Sequence, residues 1–147
     1  MEKEVLITIQ SSQSMEGEEA TPAELISLGT YSYTPERQSL SYMESELTGL
    51  EGTRTEFTAT PGQVVLSRTG TVTSRMVFVL GQKHLFAYDT PYGAMTMGME
   101  TDLMELDLQP HGGSLRIEYQ LSVENVNISR NKFYITIKET SEKEQEI

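Results

Sequence analysis

Few residues in this sequence have both the type and the spacing that catalysis needs. The two histidines, His84 and His111, have no His or carboxylate partner at the spacing of a helical zinc motif. His111 lies in the turn Pro110-His111-Gly112-Gly113 and His84 opens a strand-like segment, so both read as polar residues at strand ends. The absence of cysteine excludes a disulfide scaffold, thiolate zinc, iron–sulfur ligation and thiol catalysis. No Gly-x-Ser-x-Gly elbow and no Gly-Lys-Ser/Thr phosphate loop occurs, and Ser67, Ser74 and Ser129 read as plain strand or turn serines. The expectation is a non-catalytic protein that needs no metal and no cofactor.

Carboxylates are plentiful. Glu44 and Glu46 share a strand face, as do Glu100 and Asp102, while Glu105 and Asp107 share the opposite one. Such pairs can hold a hard cation or carry out acid–base work. The loop Glu16-Gly17-Glu18-Glu19 has oxygen donors but not the regular spacing of a dedicated calcium loop. In a chain with 22 acidic against 11 basic residues, these carboxylates read as a solvated face.

Binding is the better-supported chemistry. Met95, Met97 and Met99 alternate along one strand and form a soft, polarizable strip. Phe78, Phe86, Tyr88 and Tyr119 are placed to face that strip across a closed sheet. A cavity lined in this way would take a lipid-like or aromatic molecule, whereas an ordinary closed core would use the methionines as filler. Arg68 has the parity of Val64 and Leu66, and Glu44 that of Leu40 and Tyr42. If those faces point inward, the two charges form an internal pair, or Arg68 receives a ligand carboxylate with its planar fork. If they point outward, both are surface residues. Parity leaves both readings open, because one bulge reverses it.

The elements that must position these residues are strands. Thr occurs 17 times and Tyr 7 times, and alternation of period two recurs between turn signals. Segments 4–12, 25–33, 39–47, 53–60, 63–69, 74–80, 84–90, 94–108, 114–124 and 128–139 read as strands. A polar loop is expected over Gln13–Pro22, with a possible helical turn at the capping pattern Thr21-Pro22-Ala23-Glu24. Pro61-Gly62 signals a type II turn. The segment 114–124 is the cleanest, with Leu115, Ile117, Tyr119, Leu121 and Val123 on one face. In the segment before it the apolar parity switches from Met95, Met97, Met99 and Leu103 to Met104, Leu106 and Leu108, which a β-bulge or bend near Asp102–Met104 would reconcile. The fold class is therefore all-β: a single closed, antiparallel, up-and-down barrel of about ten strands, since closure removes exposed edges from a chain rich in β-branched residues. Residues 1–139 form the one domain, and 140–147 are a charged, frayed tail.

Charge and hydropathy narrow the setting. A net charge of −11 without a basic stripe disfavours nucleic acid and anionic membrane surfaces. The longest strongly apolar run, Met76-Val77-Phe78-Val79-Leu80, is too short to span a bilayer, and Met1-Glu2-Lys3-Glu4 lacks the basic start of a signal peptide. A cytoplasmic protein is the expectation.

The residues also resemble a known group. Tyr42-Met43-Glu44, Arg68-Thr69-Gly70, Met76-Val77-Phe78 closed by Gly81, Tyr88-Asp89-Thr90-Pro91-Tyr92-Gly93, Gly112-Gly113-Ser114-Leu115, Tyr119 and Ser129-Arg130-Asn131 together look like the YwiB-like family of uncharacterised bacterial proteins. The resemblance runs from about Val5 to Lys138 and is most specific at Tyr88–Gly93. It implies a lipocalin-like (calycin) barrel and a bacterial source, and it implies no activity, catalytic residue or ligand. Two functions follow as expectations. The first is a non-catalytic barrel for a small, partly apolar ligand, with Arg68 or Tyr88 orienting it and the methionine strip and Phe78 supplying contact. The second is a protein-interaction module with a filled barrel and an acidic surface that meets a basic partner.

Overall fold

The computed structural model describes residues 2–15, 18–45 and 50–140. The alternating pattern forms ten strands: β1 (Glu2–Met15), β2 (Thr21–Thr34), β3 (Arg37–Met43), β4 (Thr53–Thr60), β5 (Gln63–Gly70), β6 (Thr73–Phe78), β7 (Lys83–Thr90), β8 (Gly93–Gln109), β9 (Gly112–Val123) and β10 (Val126–Glu139). Each pairs antiparallel with its neighbours in sequence, and β1 closes onto β10. The result is the single closed up-and-down barrel that the periodicity requires. Among the described residues no helix is long and apolar enough to cross a membrane.

Alternation decides which side chains go inside. Val5 and Ile7 of β1, Val64 and Leu66 of β5, Leu115 and Ile117 of β9, and Phe133, Ile135 and Ile137 of β10 are buried in one core. Their intervening neighbours face outward. The β8 register shifts between Thr101 and Leu103 against β9, so the bulge lies where the parity switch demanded it. A second shift, between Asn127 and Ser129 of β10, has no comparable sequence signal. The Pro61-Gly62 turn places Gly62 at φ 77°, as a type II turn requires.

Three local expectations change. Gln13–Met15 and Thr21–Pro22 belong to β1 and β2, because Gln13 pairs with Thr21 and Ser12 with Pro22. The capping pattern at Thr21 therefore starts a strand: the cross-strand ladder to β1 outweighs a local helical turn. The strand expected to run to Leu80 ends at Phe78, and Leu80 instead bridges to Thr101 of β8. Gly81 N donates to Thr101 O at 2.9 Å, and Thr101 N donates to Gln82 O at 3.3 Å. This loop patches the thinnest seam of the barrel, since β6 and β7 pair only at Thr73–Asp89 and Ser74–Tyr88. The end expected for the third strand, at Glu46 and Leu47, lies outside the described residues, as do Glu16 and Gly17 of the acidic loop and the tail beyond Thr140. Thr140 itself bonds back to Glu4 O through its hydroxyl at 3.2 Å.

Gly29 is needed for close approach. A Cβ there would lie 2.4 Å from Ser41 O and 2.4 Å from Ile7 Cδ1. Its lack of a side chain lets β3 press against the inward face of β1 and β2.

Candidate functional site

The two ends of the barrel differ. The upper end carries the turns after β1, β3, β5, β7 and β9. There the long strands β1 and β2, with 14 residues each, overhang the short β3 of 7 residues. A cavity of about 600 Å³ opens beneath this overhang. Its apolar wall includes Ile9, Leu25, Leu66, Leu121, Phe57 and Phe133. Its polar residues include Tyr42, Glu44, Arg68, Tyr119 and Asn131. At the lower end, a void of only about 10 Å³ remains among Tyr31, Leu40, Ala59, Val64 and Leu115. The other large concavities lie on the outer face among surface groups such as Gln10, Glu24, Arg116 and Lys132.

Three aromatic rings, Phe57, Tyr119 and Phe133, floor the upper cavity, and Phe78 packs beneath them. Phe133 meets Phe57 at 5.5 Å between ring centres, Phe78 at 6.0 Å and Tyr119 at 6.1 Å, and Tyr119 meets Phe78 edge-on at 5.1 Å. These tilted and edge-on contacts hold a rigid apolar base. Strands β3, β4, β5 and β6 position the polar wall in one row: Tyr42 pairs with Thr55, Thr55 with Arg68, and Arg68 with Ser74. Thr55 Oγ1 donates to Glu44 Oε2 at 2.5 Å, and both residues are buried. A buried carboxylate needs such donors.

Arg68 turns inward with its parity partners Val64 and Leu66. It is half-buried, and its Nε is buried with no hydrogen-bond partner among the described residues. Ser74 Oγ, directly across the ladder, is likewise buried without a partner. The Tyr119 hydroxyl pKa is pushed up, first by burial and against the opposing influence of the Arg68 charge. The Tyr42 pKa is also pushed up, first by burial and then by the Glu44 charge and a hydrogen bond to it, while Arg68 opposes the shift. The Arg68 charge thus acts on both phenols, whose raised pKa values keep them protonated.

Of the nine residues singled out from sequence, the structure brings Glu44, Arg68 and Tyr119 together on the cavity wall. The other six lie elsewhere. Phe78, Phe86, Met97 and Met99 are buried in the closed core, Phe78 just beneath the floor. Tyr88 is half-buried against that core, and Met95 is exposed at the upper rim. The methionine strip is thus split by height: the same parity that buries Met99 leaves Met95 where the strand has passed the end of the core. Tyr42, Thr55, Leu121 and Phe133 were not singled out. Tyr42 and Thr55 enter through cross-strand register with Arg68, which no local pattern shows. Leu121 and Phe133 were legible as inward-facing but not as cavity-facing.

Among the carboxylate pairs, Glu100, Asp102, Glu105 and Asp107 all face solvent, and Asp102 accepts from Gln120 Nε2 at 2.9 Å. His111 is exposed, whereas His84 is half-buried with its Nε2 buried and unpartnered.

A closed ten-stranded barrel, packed at one end and hollow at the other, is the class of protein defined here. The chain belongs to the DUF1934 family, described as a domain of unknown function, whose model matches residues 7–145. Its fold is similar to the crystal structure of the YwiB protein from Bacillus subtilis, with a TM-score of 0.84, 21% identity and coverage of 95% of this chain and 94% of that one. That likeness shows the fold. No curated protein matches the sequence.

Proposed function

We propose that this protein is a non-catalytic, lipocalin-like binding barrel of the cytoplasm that holds a small, partly apolar molecule in its upper end. The observation that carries this reading is the cavity of about 600 Å³ with its aromatic floor and mixed wall. Its volume lies within the range of ligand pockets, about 300–1,000 Å³, and its wall mixes apolar side chains with polar and charged ones, Glu24 and Lys132 among them. The lining also supports binding over an interaction module with a filled barrel, since such a module gains nothing from an open cavity whose wall carries a half-buried arginine. Catalysis has no support from the wall, which brings together no nucleophile and base.

The test uses the neutral probe N-phenyl-1-naphthylamine and native mass spectrometry of the full chain. The expected result is saturable, one-to-one fluorescence enhancement that is lost on Ser11→Trp, a change that fills the cavity from β1. The chain has no tryptophan, so the new indole also reports the cavity directly. No enhancement and no bound mass in a native preparation would overturn the reading.

A further inference from the structure

Resting on the binding reading, we infer that the ligand is a small organic acid with one carboxylate and an apolar body, its carboxylate seated on Arg68. Two donor side chains, Arg68 and Tyr119, line the cavity, and Ser74 lies behind Arg68 outside that lining. Arg68 Nε is buried and unpartnered, and Ser74 Oγ on the paired position of β6 is buried and unpartnered. The Tyr119 hydroxyl stands within the field of Arg68 and makes no hydrogen bond among the described residues. The ion pairs among the described residues are Lys3–Glu139 and Arg54–Glu56, and neither involves Arg68. A guanidinium and a phenol on one wall ask for an acceptor with several lone pairs, and a carboxylate offers about four lone-pair sites in a plane that fits the guanidinium fork. A water could satisfy one donor but not the charge, whereas an anion answers both.

Glu44 sets the limit on ligand charge. It is buried in the same wall and accepts from Thr55 Oγ1 at 2.5 Å. Its negative charge in the same wall already offsets that of Arg68, so a single carboxylate is the most anionic group the site takes, and a dianion such as a phosphate monoester is disfavoured. The body of the acid then lies along Leu66, Leu121 and Phe133, over the aromatic floor.

The experiment titrates the wild-type full chain at pH 8 with parinaric acid and with its methyl ester, and repeats the comparison with naphthylacetic acid and its ester. The bodies are matched and only the charge differs. The acids are expected to bind at least tenfold more tightly than their esters. Arg68→Gln should abolish that preference while leaving ester binding within about twofold, and Arg68→Lys should restore part of it. The wild-type comparison needs no variant, so it decides even if Arg68→Gln does not fold. Esters binding as tightly as acids would overturn the inference, as would a folded Arg68→Gln that weakens both alike. In either case binding of N-phenyl-1-naphthylamine keeps the cavity reading standing. Failure of that neutral probe as well would remove the reading and the inference with it.

Discussion

The lower and upper ends of this barrel are built from the same alternation and reach opposite results. At the lower end, Tyr31, Leu40, Val64, Leu115 and Ile137 interlock and leave about 10 Å³. The one polar tip there is satisfied, because the Tyr31 hydroxyl donates to Gln109 O at 2.8 Å. At the upper end the inward positions are occupied by Arg68, Glu44, Tyr119 and Asn131, and a cavity of about 600 Å³ remains. Polar side chains with unmet donors cannot pack against one another as aliphatic ones do. One end is therefore a packed core, and the other keeps an open cavity with polar groups that folding alone would not choose.

Several measurements would break or sharpen this contrast. The largest effect is expected from Phe78→Ala, which empties the junction between the two ends. It should cost about 3–5 kcal/mol in urea denaturation, as buried Phe→Ala changes do. A loss below about 1 kcal/mol would mean that the floor is not a packed core. Alkali comes next. The Tyr31 pKa is pushed up to about 12, chiefly by burial and then by the nearby Tyr33. The unfolded chain releases that proton near pH 10, so stability present below pH 10 is lost as the pH rises from about 10 to about 12. Tyr42 and Tyr119 act in the same direction at the upper end. The melting temperature should fall above pH 10, and Tyr31→Phe should flatten the slope.

Thr55→Val removes a donor to the buried Glu44 carboxylate and should cost about 2 kcal/mol, within the range for hydrogen bonds to charged groups. Leu121→Ala, on the half-buried cavity wall, should cost only about 1 kcal/mol because a cavity is already there. A cost equal to that of a lower-end leucine such as Leu115→Ala would erase the distinction between the ends. The smallest effect concerns the upper rim. Glu124 and Asn125 form a two-residue turn at φ 52° and 67°. Glu124→Asn suits that backbone better and should stabilise by about 0.5 kcal/mol, seen as a small rise in the urea midpoint with no change in probe affinity.

Much of this architecture was legible in the chain. Alternation along 114–124 marks Leu115 and Ile117 as inward, and the switch from Met99 to Met104 announces the β8 bulge. The site was legible only in fragments. The parities of Arg68 and Glu44 were visible, but whether their faces pointed in or out was not, and the methionine strip suggested a lining that Met97 and Met99 do not provide. Parity is a local property, while the height of a residue within the barrel depends on how ten strands are staggered. Met95 and Met99 share a face and differ completely in burial for that reason.

By itself, the sequence determined a closed antiparallel barrel, its in–out rhythm and one bulge, all consequences of period-two geometry and residue type. Only the tertiary structure decided that Arg68 and Tyr119 share a cavity wall, that Glu44 is held by Thr55, and that one end is hollow. Those facts depend on register between strands far apart in the chain and on unequal strand lengths, and burial energies act on that assembled arrangement rather than on any one segment.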